Sequence, residues 1–166
     1  MPVELPVAIR RLRDGLDYAA SVGVPPHITL LYPFMPPDAL DDGVREDLRR
    51  LLVGHRPFPF TLRSVGRWPG VVYLPAEPAA PFSRLIEALA AAYPDFPPYG
   101  GLHALEDIVP HLTIAENPQA SHLDAAERAL PAMLPVRSVA REVWVVAQPA
   151  AGERWQTVWQ LPLGGG

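Results

Sequence analysis

Apolar positions along this chain alternate between a spacing of three to four and a spacing of two, so helices and strands are expected to follow one another throughout. From Leu5 to Leu16, Ile9, Leu12 and Leu16 fall on one side of a helix, and Arg10, Arg11 and Arg13 on the other. Gly23 to Pro26 ends that segment. His27 to Phe34 (HITLLYPF) is rich in β-branched and aromatic residues and predicts a strand, with Pro36, Pro37 and Asp38 leading into a second helix. Leu40, Val44, Leu48 and Leu51 form the apolar stripe of that helix, which stops near Gly54. Phe58 to Trp68 and Val71 to Leu74 predict strands joined by a Pro69-Gly70 turn.

The second half follows the same plan. Ser83 to Tyr93 is a helix on Leu85, Ile86 and Leu89, Pro94 to Gly101 is a Pro/Gly-rich loop, and a second short strand starts at His111. Ser121 to Met133 predicts a helix with Ser121 as N-cap and Asp124 three residues on, as in a capping box. Two long strands, Val136 to Ala147 and Trp155 to Leu163, close the chain. Each half therefore reads helix, short strand opening with His, helix, strand. The repeat predicts a single domain over 1–166, with two related α+β lobes facing each other, approximately 1–70 and 71–166. The second-half helix is preceded by a strand, whereas the first-half helix starts almost at Met1. The opening strand is then shortened to Pro2 to Leu5, or the natural start lies upstream.

Composition narrows the chemistry. The 166 residues contain no cysteine, which excludes disulfides, a thiolate nucleophile and thiolate zinc sites. No apolar run approaches the roughly 18 residues that span a bilayer, and the N-terminus lacks the layout of a secretion signal, so a cytoplasmic protein is expected, with no membrane partner and as a monomer. All 14 basic residues are arginine, which together with 22 prolines reflects a GC-rich coding bias before any function. A net charge of -4 argues against wrapping long nucleic acid, while a few local arginines suffice for an RNA terminus or a small phosphorylated ligand.

The strongest signal is a pair of matching segments, Pro26-His27-Ile28-Thr29-Leu30 and Pro110-His111-Leu112-Thr113-Ile114. On a strand, side chains at i and i+2 share a face about 6.5 Å apart, so each His and its Thr look into one space while Ile28 and Leu112 point into a core. Two such segments related by the repeat would set two imidazoles and two hydroxyls around one cleft. Imidazole titrates near neutrality, so His27 and His111 suit a general acid and a general base at a phosphodiester. Thr29 and Thr113 can donate to the non-bridging phosphate oxygens, and neither a metal nor another cofactor is required. A lone His beside a strand reads as structural; the matched pair does not.

Among other residues, His55 at a helix end and His122 in a first helical turn read as surface. His103, in a loop eight residues before His111, could reach substrate. Tyr32, Tyr99 and Trp68 could stack on a base, with Tyr99 preferred because its Pro/Gly setting suggests an exposed loop. Arg63 and Arg67 could attract a phosphate, and Trp144, Trp155 and Trp159 read as core. The histidines lack metal-site spacing and there is no glycine-rich phosphate loop.

These H-x-T motifs, with GVPPHITLLYPF (Gly23 to Phe34), PPYGG (Pro97 to Gly101) and VPHLTIAE (Val109 to Glu116), resemble the two-histidine phosphoesterases in their bacterial 2'-5' RNA ligase-like branch. The resemblance covers nearly the whole chain. It implies a bilobal α+β fold with pseudo-two-fold related lobes, each an antiparallel sheet with helices outside, flanking a central cleft. It further implies His27 and His111 as the acid/base pair and Thr29 and Thr113 as phosphate-binding residues. The implied substrates are 2',3'-cyclic phosphate RNA ends, with 2'-5' ligation as a further activity. A cyclic phosphate of an ADP-ribose derivative, or phosphate binding without turnover, stays open, though binding alone would not need two facing titratable groups.

Overall fold

The computed structural model describes residues 1–116 and 119–164. Helix α1 (Val7–Leu16) starts after Pro6 and buries Ile9, as its apolar stripe predicts. It also buries Arg13, at 2 % exposure, which corrects the expectation that this arginine faces solvent. The reason is tertiary: the guanidinium finds buried acceptors, described below. After Asp17 comes a single turn, α2 (Tyr18–Ser21). Helix α3 (Asp42–Val53) is capped by Asp41, whose Oδ1 accepts from the Val44 N–H at 2.9 Å; Leu48 and Leu52 are buried, and Leu40 precedes the helix. Helix α4 (Ala80–Ala92) buries Phe82, Leu85, Ile86 and Leu89. Helix α5 (Ala120–Ala129) runs on into a 3-10 turn over Leu130–Met133. It begins one residue before Ser121, so the capping box does not form; Asp124 instead pairs with Arg67 at 2.7 Å.

Strands β1 (Phe58–Leu62), β2 (Gly66–Trp68), β3 (Val71–Glu77), β4 (His111–Glu116) and β5 (Val136–Ala140) form one antiparallel sheet. β1 and β2 lie along one edge of β3 and β4 along the other, while β5 pairs with the far edge of β1. Strands from both halves of the chain thus share this sheet. The expected single strand Phe58 to Trp68 is broken: Leu62 pairs with Ala76 and Gly66 with Tyr73, so Arg63, Ser64 and Val65 stand opposite only Leu74 and Pro75, as a bulge.

The expected strand Val136 to Ala147 is also divided. Its buried positions are Val136 and Ala140 before Arg141 but Val143, Val145 and Ala147 after it, so their parity changes and one straight strand cannot serve one core. The chain switches sheets there, and β6 (Glu142–Ala147) pairs with β7 (Gln156–Pro162) in a separate antiparallel hairpin. His27 to Phe34 is likewise not a continuous strand. A bridge joins His27 to Pro2, flanked by Val3 N–H to Pro26 O at 2.9 Å and Ile28 N–H to Met1 O at 2.8 Å. Pro26 lacks the amide hydrogen that would return a bond to Val3 O and carry the ladder on. Within the stretch expected as an opening strand, Pro2 to Leu5, the pairing is this one bridge.

A common core joins the elements, with Ile9, Ile28, Leu52, Leu74, Phe82 and Leu112 at 0 % exposure. Ile28 and Leu112, each between its motif's His and Thr, point inward as the alternation predicts. Trp144, Trp155 and Trp159 are half-buried rather than enclosed. None of the described helices is long and apolar enough to cross a membrane.

Candidate active site

Each motif holds its histidine in the same way. His27 Nδ1 lies 2.8 Å from the Pro25 carbonyl oxygen, and His111 Nδ1 lies 2.7 Å from that of Val109, in both cases two residues upstream. A carbonyl only accepts, so Nδ1 carries the hydrogen in both rings and Nε2 is left with a free lone pair when the ring is neutral. His27 Nε2 is 3.1 Å from Thr29 Oγ1, which donates to it. Thr113 occupies the equivalent place one pleat from His111 on β4, opposite Tyr73 of β3.

Both imidazoles are biased toward the neutral form. Burial pulls His27 down to about 4, helped by the nearby Met1 ammonium, Arg13 and His111, and opposed by the bond to Pro25. Burial also lowers His111, opposed by its bond to Val109. The influence of His111 on His27 brings the two motifs, 84 positions apart in the sequence, into one electrostatic neighbourhood.

Aromatic rings wall His111. Trp68 stands edge-on to it with centroids 4.8 Å apart, Tyr73 lies at 5.3 Å, and the two rings stack on each other at 3.8 Å. Gly66 makes this possible, because a Cβ there would overlap the Tyr73 ring. Tyr73 carries no sequence signal beyond being a strand aromatic. Helical spacing alone puts Arg13 on the solvent side, although Asp17 four residues on is a visible partner. Its Nη2 meets Asp17 Oδ2 at 2.6 Å, its Nη1 donates to Val24 O at 3.2 Å and its Nε to Thr113 O at 3.3 Å.

The remaining expected contacts fall elsewhere. Tyr99 is half-buried rather than exposed, and burial raises its hydroxyl's pKa. Its backbone is left-handed, with φ 54°, and its N–H donates to Tyr32 O at 2.6 Å. His103 is exposed beside it, ring centroids 5.9 Å apart, and Tyr32 is 54 % exposed with its ring 6.4 Å from that of Trp155. Among the described residues, no hydrogen bond or ring contact joins Tyr32, Tyr99 or His103 to His27 or His111. Arg63 pairs with Glu77 at 2.7 Å, and Arg67 is held by Asp124 and Glu127. His55 is half-buried after α3 and His122 exposed in the first turn of α5. No group of three or more His, Asp or Glu side chains converges as a metal site among the described residues.

The family model of the 2'-5' RNA ligase superfamily matches residues 1–150. The chain belongs to this superfamily, the two-histidine phosphoesterases. Two solved structures share the superfamily's fold with it. TT0787 of Thermus thermophilus is 22 % identical, with a TM-score of 0.56 over 97 % of this chain and 94 % of its own. LigT of E. coli, solved in complex with 3'-AMP, is 19 % identical, with a TM-score of 0.56 over 98 % and 95 %. No curated protein matches the sequence. The antiparallel α+β architecture implied by the sequence resemblance is thus the fold of this superfamily member.

Proposed function

We propose that the protein is a metal-independent phosphoesterase that opens 2',3'-cyclic phosphates at RNA ends, with His27 and His111 as its acid/base pair. The observation that carries this reading is the matched seating of the two rings, each fixed through Nδ1 to a carbonyl two residues upstream. Superfamily membership supports phosphodiesterase or ligase chemistry, and LigT's complex with 3'-AMP supports a nucleoside phosphate as ligand. His27, held near 4, is neutral at neutral pH, and its Nε2 takes a proton from the attacking water. His111, protonated as the anionic phosphate arrives, gives a proton to the departing 2' or 3' oxygen. Water's oxygen bonds to phosphorus as the ester bond breaks, leaving a monoester and a free hydroxyl. With an RNA 5'-hydroxyl attacking in place of water, the same pair would form a 2'-5' bond: His27 takes the hydroxyl's proton, its oxygen bonds to phosphorus, and the 3' oxygen leaves with the proton from His111. As the phosphate arrives, Thr29 turns its one hydroxyl hydrogen from His27 Nε2 to a non-bridging oxygen, which frees Nε2 for the proton of the attacking water, and Thr113 donates to the non-bridging oxygens as charge grows there.

The test is turnover of a nucleoside 2',3'-cyclic phosphate with chelator present. Wild type should turn over, and His27→Ala and His111→Ala should each lose about a hundred- to ten-thousandfold. Turnover that persists in both variants would overturn the assignment. Absence of turnover in the wild type would move the search to 2'-5' linked or ADP-ribose-derived substrates.

A further inference from the structure

The face of the large sheet that carries His111 does not stop at β4. His111 pairs with Pro75, and the bulge sets Arg63 opposite Pro75 on the other edge of β3. One row further, Glu77 pairs with Thr61, and Thr61 with Arg137 of β5. Alternation puts all of these on one face, since Leu62, Leu74 and Leu112 between them are fully buried on the other. With strands about 4.8 Å apart and residues about 3.3 Å apart along each strand, the Arg63 backbone stands about 10 Å from that of His111 and the Arg137 backbone about 16 Å.

Beside these two arginines lies a cavity of about 520 Å³, to which Thr61 and Ser64 add hydroxyls. That volume is in the range that takes a nucleotide-sized ligand. The charges around it are already partitioned. Arg67 pairs with both Asp124 and Glu127, so Glu127 in the cavity wall is engaged there, although that group keeps one net negative charge. Glu77 pairs with Arg63, and Arg137 has no ion pair among the described residues. Arg137 is therefore the arginine beside the cavity without an ion pair among the described residues, and Arg63 is held by an exposed carboxylate that a phosphate can displace.

We propose that Arg63 and Arg137, with Thr61 and Ser64, form a second anion site that grips a backbone phosphodiester of the RNA strand whose end lies at His111, so that the substrate is an oligoribonucleotide rather than a mononucleotide. The proposal rests on the reading of the site as an RNA-end phosphoesterase. Glu77 acts as a competing anion: it holds Arg63 in place on the empty face and yields it to the strand.

The experiment compares kcat/KM for a short oligoribonucleotide ending in a 2',3'-cyclic phosphate with that for a nucleoside 2',3'-cyclic phosphate. Wild type should prefer the oligonucleotide. Arg137→Ala and Arg63→Ala should each cut that preference about tenfold, the size of one charged hydrogen bond, and Glu77→Gln should raise it. The log-log salt dependence of oligonucleotide KM should flatten by about 0.7 for each phosphate that a variant no longer neutralises. An equal preference in wild type and all three variants, with turnover intact, overturns this inference and leaves the RNA-end reading standing. If neither substrate turns over, that reading fails, and anisotropy of a labelled oligoribonucleotide 3'-phosphate decides the second site alone. Weaker binding by Arg137→Ala together with tighter binding by Glu77→Gln upholds it, and unchanged binding removes it.

Discussion

The guanidinium of Arg13 donates to the carbonyl oxygen of Thr113, 100 positions away in the sequence, at 3.3 Å. The same group reaches Val24 O on the segment leading to His27 and the Asp17 carboxylate. One planar, buried side chain on α1 thus ties both motifs to one reference point, which suits the rigid fork of an arginine better than a lysine ammonium.

Arg13→Met should cost about 3–5 kcal/mol, because it leaves the Asp17 carboxylate buried without its partner. The double variant Arg13→Met with Asp17→Leu should recover most of that stability in urea unfolding while kcat stays low, since nothing then links Thr113 to Val24. A double variant that turns over like wild type would reduce Arg13 to a stabilising residue with no part in positioning.

The His27 ring makes stability depend on pH. The unfolded chain takes up a proton near 6.5 and the folded chain only near 4, so the ring's contribution is complete above 6.5 and is lost as pH falls toward 4. The slope in that window is about 1.4 kcal/mol per pH unit for the one proton. Met1's amino group, lowered from 8.0 to about 5 by burial, has the same sign in its own window and is kept in the variant. Denaturation of His27→Gln should therefore show a flatter profile between pH 6.5 and 4 than wild type. Parallel profiles would mean that the ring is solvated and ordinary.

Gly66→Ala should disturb His111 without touching it. The new methyl would overlap the Tyr73 ring and force it away from Trp68 and His111. Expected are a fall in kcat and a change in the near-ultraviolet dichroism of the stacked rings, with a smaller change in thermal stability. Unaltered dichroism with full activity would show that the ring has room to move.

Thr29→Val and Thr113→Val keep shape and remove a hydroxyl each. If these groups donate to the phosphate as charge develops, each variant should lose about a hundredfold or more in kcat with little change in KM. A loss confined to KM would make them ground-state binding groups instead.

Local pattern alone determined a good deal of this protein. The two His-x-Thr segments, their inward-pointing Ile28 and Leu112, the apolar stripes of α1, α3 and α4, and the strand edges marked by Pro69-Gly70 were all legible, because helical and strand periodicities and turn residues act over a few positions. What was not legible depended on partners far away in the chain. Arg13 looks like a solvent-facing cation until Thr113 and Val24 supply its acceptors. Tyr99 looks exposed until its loop docks on Tyr32. The first motif's strand shrinks to a bridge because Pro26 denies it a longer ladder, and Val136 to Ala147 divides because two sheets require opposite parity. Sequence spacing fixes which face a side chain takes along its own element. Only the tertiary structure decides what stands opposite that face, and hence whether a charge is buried, which rings enclose His111 and which arginines share its sheet.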